Sequence, residues 1–140
     1  MDHSLHYLLM ANHAMLQKQL FAGIKDLGLS IGQPKVLDFL KDHDGAVQKE
    51  IARGCHIEPA SLSTILTGME KSGLLNRQAS EENRRIVNVY LTDKGKELSA
   101  KITEAFIELE ERALSGLTAQ ERIRVLADLT AIHDNLEAGL

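Results

Sequence analysis

Several residue types that would point to a particular class of protein are scarce in this sequence. It contains one cysteine, Cys55, and no tryptophan, and aromatic residues make up only 4% of the chain. One cysteine excludes an internal disulfide and a zinc site built from several thiolates. No apolar run is long enough to span a bilayer, and the N-terminus lacks the basic start and the cleavage site of a signal peptide. We therefore expect a cytoplasmic protein with no membrane partner.

Motifs for catalysis and cofactor binding are missing as well. The sequence has no Gly-rich phosphate loop, no His-Glu-x-x-His and no Gly-x-Ser-x-Gly, and its six histidines form no His-x-x-x-His pair. We expect no enzyme activity, no cofactor and no metal site. A small enzyme remains an alternative if folding assembles a catalytic cluster from residues far apart in the sequence.

Charge is distributed unevenly along the chain. The formal net charge is −4, which argues against a general polyanion binder. Residues 45–101 nevertheless contain nine Lys or Arg residues against seven Asp or Glu residues. This bias predicts that the middle of the chain faces an anion, while the acidic flanks have another role.

Apolar residues recur at helical spacing through the first quarter of the chain and predict a helix over 5–27 that stops at Gly28. Ser30 and Gln33 have the spacing of a capping box at the start of a second helix. A third short helix is predicted over 48–53, ending at Gly54.

Further along the chain, the spacing of apolar residues changes from a helical period to the alternation of a strand, and then returns to the helical period. A fourth helix is predicted over 59–72, because Pro59 suits a first helical position. Residues 74–80 and 86–92 alternate in polarity and flank a polar turn, which predicts a β-hairpin. Thr92 and a Thr118–Glu121 capping box then begin two long helices. The predicted fold is mainly α with a small β-hairpin wing: six helices, with a winged helix-turn-helix core and a helical dimerisation region.

The fourth helix has two contrasting faces. Its predicted buried stripe comprises Leu62, Ile65, Leu66 and Met69. The opposite face carries small, hydroxylated or cationic side chains that can approach DNA closely: Ala60, Ser63, Thr64, Thr67 and Lys71, with Ser61 at its edge. The alternative is an ordinary amphipathic helix with a solvated Ser/Thr-rich face.

The hairpin favours DNA binding, because a helix-turn-helix followed directly by a hairpin is a winged helix. Arg84 and Arg85 lie near its tip, where they can reach a minor groove. The alternative is that both arginines are solvated and paired with Glu81 and Glu82.

The segments "LSIGQPKVLDFL" and "QKEIARGCHIEPASLSTILTGMEKSGLLNRQASEENRRIVNVYLTDKGKEL" resemble the MarR family of bacterial transcription regulators. The resemblance covers nearly the whole chain, and the wing with "LTDKG" is its most specific part. It implies that Arg85 is the wing arginine, that 59–72 is the recognition helix, and that a small molecule gates DNA binding. Asn83 replaces the family's usual wing aspartate, and Pro59 and Thr64 stand where arginine is frequent.

Dimerisation is expected from the residues themselves as well as from the resemblance. Three long helices outside a small winged-helix core have apolar stripes that need a partner, and a symmetric copy is the commonest solution. We predict a single domain, 1–140, with a DNA-binding lobe at 29–95 and dimerisation helices in 1–28 and 96–140.

The predicted partners are double-stranded DNA, a second copy of the chain and a small-molecule effector whose binding residues the sequence does not reveal. The predicted protein is a homodimeric repressor on a pseudo-palindromic operator. An interaction module that has a winged helix but no specific DNA binding is the alternative, and Cys55 is predicted to be a buried structural residue rather than a redox sensor. The predicted DNA-binding residues are Gln48, Lys49, Ser61, Ser63, Thr64, Thr67, Lys71, Arg77, Arg84 and Arg85.

Overall fold

The computed structural model describes residues 3–140 and confirms the predicted order of elements. Four helices precede a two-stranded antiparallel hairpin, and two long helices follow it. The elements are α1 (Leu5–Gly23), a 3-10 turn (Lys25–Leu27), α2 (Gln33–Leu40), α3 (Gln48–Cys55), α4 (Pro59–Lys71), β1 (Leu75–Ala79), β2 (Val87–Leu91), α5 (Asp93–Ala113) and α6 (Ala119–Ala138).

Contacts divide the described residues into two compact units, one ending at Ile107 and the other formed by Glu108–Leu140. Helix α5 contributes to both units. In the first unit, α2, α3 and α4 pack with the hairpin around one apolar core. Its fully buried large side chains are Val36, Leu37, Leu40, Ile51, Leu62, Leu66, Met69, Leu74, Leu75, Val89 and Ile102.

Helix α1 is shorter than predicted, because it ends at Gly23 after 19 residues. Ile24 leaves the helical conformation at φ −118° and ψ 14°, and a 3-10 turn follows it. Ile24 is buried, so the apolar spacing continues across the break and conceals it in the sequence. Gly28 does end the segment, in the left-handed conformation at φ 69°.

The N-cap of helix α2 lies two residues after Ser30, the N-cap of the predicted capping box. Gly32, at φ 91°, is the N-cap residue, and Ser30 lies outside the helix. The Gln33 side chain still reaches back, and its Oε1 accepts the Ser30 backbone N–H at 3.2 Å. Glycine suits position 32 because a Cβ there would strain the backbone at this positive φ, and the end of the Ile65 side chain would also have to move.

Helix α3, by contrast, ends later than predicted. It continues through Gly54 to Cys55, and His56 takes the left-handed conformation at φ 53° that closes it. Gly54 is therefore helical, and its lack of a side chain makes room for the ring of Phe39. This glycine serves packing rather than helix termination.

The other predicted helix starts are confirmed. Pro59 occupies the first turn of α4, and the Thr92 hydroxyl accepts the Gly95 backbone N–H at 3.1 Å at the start of α5. Thr118 and Glu121 form a reciprocal capping box at the start of α6. Within residues 3–140, no helix combines the length and the apolarity needed to cross a membrane.

Candidate nucleic-acid interface

Helix α4 separates its two faces as predicted. Leu62, Leu66 and Met69 are buried, while Ile65 is partly buried and packs on Gly32. The opposite face is open to solvent along its length. Its exposed members include every residue of α4 that the sequence assigns to DNA: Ser61, Ser63, Thr64, Thr67 and Lys71.

Two hydroxyl groups on this face are fixed by the helix itself. Thr67 Oγ1 donates to the carbonyl oxygen of Ser63 at 2.8 Å, and Thr64 Oγ1 donates to that of Ala60 at 3.4 Å. Such bonds hold a threonine in one side-chain conformation. The exposed face therefore presents ordered threonines before any ligand arrives.

The hairpin places its tip beyond the two paired strands. Its register runs from Leu75 opposite Leu91 to Ala79 opposite Val87. At the tip, Asn83 Oδ1 accepts the Arg85 backbone N–H at 3.0 Å. This local bond gives the tip a defined turn without help from another element.

Arg84 and Arg85 are both exposed at this tip. Their guanidinium groups make no hydrogen bond or ion pair with any residue from 3 to 140, and Glu81 and Glu82 do not pair with them. Two exposed cations without a carboxylate partner are well suited to bind an anion such as phosphate.

Arg77 differs from the two tip arginines. Its Nη2 donates to Glu70 Oε1 and to Thr67 Oγ1, both at 3.1 Å, and its backbone N–H donates to Glu70 Oε2 at 3.0 Å. These bonds, led by the one from the backbone, lower the pKa of Glu70 below its ordinary value. The guanidinium of Arg77, which was predicted to contact phosphate, is thus already bonded to Glu70 and Thr67 in a network that joins β1 to α4.

The start of α3 is tied to the other edge of the hairpin. Lys49 is exposed and Gln48 is partly exposed, directly after Val47, which forms a β-bridge with Asn88. Ala46 accepts the Val89 backbone N–H at 2.9 Å. The predicted phosphate contacts of α3 are therefore connected to the wing by backbone hydrogen bonds.

Three polar residues that organise the interface were not predicted from the sequence. Glu70 makes the bonds described above, Asn88 Nδ2 donates to the Gly45 carbonyl oxygen at 2.9 Å, and Asp44 Oδ1 accepts the Leu91 backbone N–H at 2.8 Å. The partners of Asn88 and Asp44 lie 43 and 47 residues away. No local pattern in the sequence signals pairs of this separation.

Cys55 is buried as predicted, at the end of α3 rather than in a connection. Its Sγ lies 3.6 Å from the carbonyl oxygen of Lys35. Burial raises the pKa of the thiol to about 11, with a further upward contribution from Asp38 and an opposing one from Lys35. A thiol of this kind is almost fully protonated at neutral pH and reacts slowly.

One group of potential metal ligands occurs in the described part of the chain, on α6. His133, Asp134 and Glu137 bring ligand atoms within 4.8 Å of one another, and all three are exposed. His133 Nδ1 lies 3.1 Å from Asp134 Oδ1 and 4.0 Å from Glu137 Oε2, so the group forms a cluster of polar contacts on the surface of α6.

A mainly apolar cavity of about 190 Å³ lies between α1, the start of α2 and the part of α5 before Ile107. Phe106 and Lys35 also border a second cavity, of about 250 Å³, beside Cys55. The sequence had identified no ligand pocket. The residues that line the first cavity are His13, Leu16, Gln17, Leu20, Phe21, Gly32, Pro34, Lys35 and Phe106.

Comparisons with known proteins agree with this architecture. The profile of the MarR family matches residues 29–87. A Bacillus subtilis protein named uncharacterized HTH-type transcriptional regulator YfiV is 32% identical over 111 residues, which cover 79% of this chain and 69% of the YfiV chain. The HTH-type transcriptional repressor Rv2887 of Mycobacterium tuberculosis is 29% identical over 121 residues, which cover 86% of this chain and 87% of Rv2887. The S. aureus MepR protein, solved as a DNA complex, superposes with a TM-score of 0.85 at 27% identity, and the superposition covers 96% of this chain and 99% of the MepR chain.

An exposed polar helix followed by an arginine-tipped hairpin defines a winged helix-turn-helix protein, a class that binds DNA. The chain belongs to the MarR family. It is a DNA-binding transcription regulator and not an enzyme, and the alternative of a protein-interaction module without specific DNA binding is the less supported interpretation.

Proposed function

We propose that this regulator is a homodimeric repressor that binds a pseudo-palindromic operator in the cytoplasm. The observation that carries the proposal is the presence, in one compact unit, of an exposed polar α4 face and two tip arginines whose guanidinium groups have no partner within residues 3–140. Its relative Rv2887 is named a transcriptional repressor, which supports the direction of regulation.

The interface divides into base contacts and phosphate contacts. Ser61, Ser63, Thr64 and Thr67 would read base edges in the major groove, because all four are exposed on one face of α4. The remaining contacts would position the protein on the backbone and in the minor groove and would make binding sensitive to salt. We assign Gln48, Lys49 and Lys71 to phosphate and Arg84 and Arg85 to the wing contact.

The dimer would form through apolar side chains that a single copy leaves exposed. Helix α1 exposes Leu5, Leu8 and Met10, and α6 exposes residues that recur at helical spacing. We assign 1–28 and 96–140 to dimerisation and 29–95 to DNA binding, within one domain. A two-fold dimer would place two α4 helices about 34 Å apart, one turn of DNA. The exposed apolar residues of α6 are Ile123, Leu126, Leu129 and Leu136.

Effector binding is proposed for the cavity of about 190 Å³ beside α1. Leu16, Phe21 and Phe106 give it apolar walls, and Lys35 supplies one cation. This combination suits a small organic acid with an apolar body. A ligand that binds one spacing of the two α4 helices better than another would shift the population between them.

Fluorescence anisotropy with the DNA upstream of the protein's own gene would test the main proposal. A scrambled duplex of equal length is the control, and both are measured at two salt concentrations. We expect tighter binding to the upstream DNA, weakening steeply as salt rises. Equal and weak binding to both duplexes would favour the protein-interaction module.

Light scattering after gel filtration would test the dimer. Leu126→Glu places a charge on the exposed apolar stripe of α6, and we expect it to produce monomers with much weaker operator binding. Ile31→Glu is the matched control, because Ile31 is an exposed apolar residue outside the helices. Dimers of unchanged stability in the Leu126 variant would contradict the assignment of α6 to the interface.

A further inference from the structure

We propose that Arg77 is a positioning residue, which fixes the wing to the recognition helix α4 and does not serve as a phosphate ligand. The inference rests on the proposed DNA-binding function and changes the role predicted for this arginine. It also makes Glu70 and Thr67 parts of one unit with Arg77, which we call the Arg77 bridge.

The first argument is the geometry of the two charged groups. Both carboxylate oxygens of Glu70 are used by Arg77: Oε2 accepts the backbone N–H at 3.0 Å, and Oε1 accepts Nη2 at 3.1 Å. Glu70 lies in the last turn of α4, and Arg77 lies at the centre of β1. The pair therefore spans the helix-to-strand connection and fixes the direction in which the hairpin leaves the helix.

The second argument concerns the exposed threonine. Thr67 Oγ1 donates its only proton to the Ser63 carbonyl oxygen at 2.8 Å and accepts from Arg77 Nη2 at 3.1 Å. The hydroxyl proton is thus committed within the protein. Thr67 can offer DNA its methyl group and one remaining lone pair, so Arg77 also limits how this position reads a base.

The third argument is electrostatic. The side chains of Arg77 and Glu70 are only 22% and 38% exposed, and they form an ion pair. Together they bring no net charge to the interface, whereas Arg84 and Arg85 bring two unpaired positive charges. A residue that does not neutralise phosphate contributes little to the release of counterions on binding.

The fourth argument is the support at the other edge of the hairpin. There, β2 is held by Asp44, which accepts the Leu91 N–H, and by bonds between Val89 and the segment before α3. The hairpin is thus anchored to α3 along β2 and to α4 along β1. Weakening the Arg77 bridge would release one of these two anchors. It would lower the affinity for the operator and leave the affinity for unrelated DNA unchanged.

Anisotropy titrations of full-length variants on the upstream and scrambled duplexes test this proposal. Arg77→Lys keeps the charge but loses the planar fork, and Glu70→Gln places an amide NH₂ beside the arginine donors. For both variants we expect roughly tenfold weaker binding to the upstream DNA. For Arg77→Lys, which conserves the charge of the pair, binding to the scrambled duplex and the salt slope should stay as in the wild type.

A phosphate contact gives the opposite pattern. If Arg77 binds phosphate, Arg77→Met should reduce the salt slope by about 0.9. Glu70→Gln, which removes a negative charge, should then bind both duplexes at least as tightly as the wild type. Either of these results would overturn the proposal.

Two controls separate this proposal from the proposed function and from misfolding. Wild-type protein that binds both duplexes equally would contradict specific DNA binding itself, whatever the variants do. The Glu70→Gln/Arg77→Lys double variant addresses folding, with circular dichroism confirming the folded fraction. We expect it to bind the upstream DNA no more weakly than either single variant, and additive losses would show that the two residues act independently.

Discussion

The side-chain oxygen of Asn83 accepts the backbone N–H of Arg85 at 3.0 Å, which closes the turn at the tip of the wing. The resemblance to MarR proteins places an aspartate at this position, and the amide oxygen of asparagine can accept the same bond as a carboxylate. The substitution therefore retains the turn and removes one negative charge beside Arg84 and Arg85. A tip with less negative charge is better suited to approach DNA.

Arg85→Ala should weaken binding to the upstream DNA roughly tenfold, the loss expected for one charge-assisted hydrogen bond. It should also lower the salt slope by about 0.9, because one phosphate-neutralising charge is gone. Anisotropy titrations at several salt concentrations would measure both quantities. Lys25→Ala, at an exposed lysine of the 3-10 turn, is the matched control. Unchanged affinity in the Arg85 variant would remove the wing from the interface.

Stability should fall in acid partly through Glu70. Its pKa in the folded protein lies below the ordinary value of 4.5, chiefly because the Arg77 backbone N–H and guanidinium bind the carboxylate. The unfolded chain therefore takes up the proton first, so the stabilisation is complete above pH 4.5 and disappears as the pH falls below it. In urea denaturation from pH 7 to pH 3, the free energy of unfolding should decrease less steeply with falling pH in Glu70→Gln than in the wild type. Glu108→Gln, at an exposed glutamate, is the control and should keep the wild-type slope.

Two helical glycines should respond in opposite directions to alanine. A Cβ at Gly54 would collide with the ring of Phe39, and we expect Gly54→Ala to destabilise the fold by about 1–3 kcal/mol. A Cβ at Gly68 would meet its nearest neighbour, Gln33 Nε2, at an ordinary 3.6 Å. Gly68→Ala should therefore stabilise by up to about 1 kcal/mol through helix propensity.

Thermal or urea denaturation would measure both changes. Replacing the aromatic ring in a Phe39→Leu background should relieve most of the penalty at Gly54, because the collision is with that ring. A Gly54→Ala protein as stable as the wild type would show that the ring moves aside at little cost.

Cys55 should be nearly unreactive in the folded protein. A rise of its pKa from 9.0 to about 11 lowers the thiolate fraction at neutral pH about a hundredfold, and the side chain is buried. Alkylation by iodoacetamide should therefore be slow in buffer and fast in urea, as followed by mass spectrometry. Cys55→Ser should leave operator affinity within about twofold, since the thiol lies outside the exposed face of α4. Fast alkylation of the folded protein, or oxidant-dependent operator binding abolished by Cys55→Ser, would instead support a redox sensor.

The elements of this fold were predictable wherever local physics selects one conformation. The change from helical spacing to alternation located the hairpin, and Pro59, Thr92 and the Thr118–Glu121 pair located three helix starts. Helix ends were less predictable. The end of α1 was missed because the buried Ile24 continues the apolar pattern through a change of backbone conformation.

The exposed face of α4 was also predictable, because helical geometry and polarity alone assign its residues to one side. The partners of individual polar groups were not. Arg77 and Arg85 look alike in the sequence, yet the first is bound to Glu70 and Thr67 and the second has an unpartnered guanidinium within residues 3–140.

The amino-acid sequence was enough to establish the order of helices and strands, the burial of the α4 stripe and the family, since each depends on neighbours within a few residues or on a continuous motif. Folding was needed to pair Asp44 with Leu91 and Asn88 with Gly45, and to enclose the cavity beside α1. These features join residues more than 40 positions apart, and packing of the core brings them into contact. Local pattern selects the elements of this regulator, and long-range packing assigns each of its charged groups a partner or leaves it open to solvent.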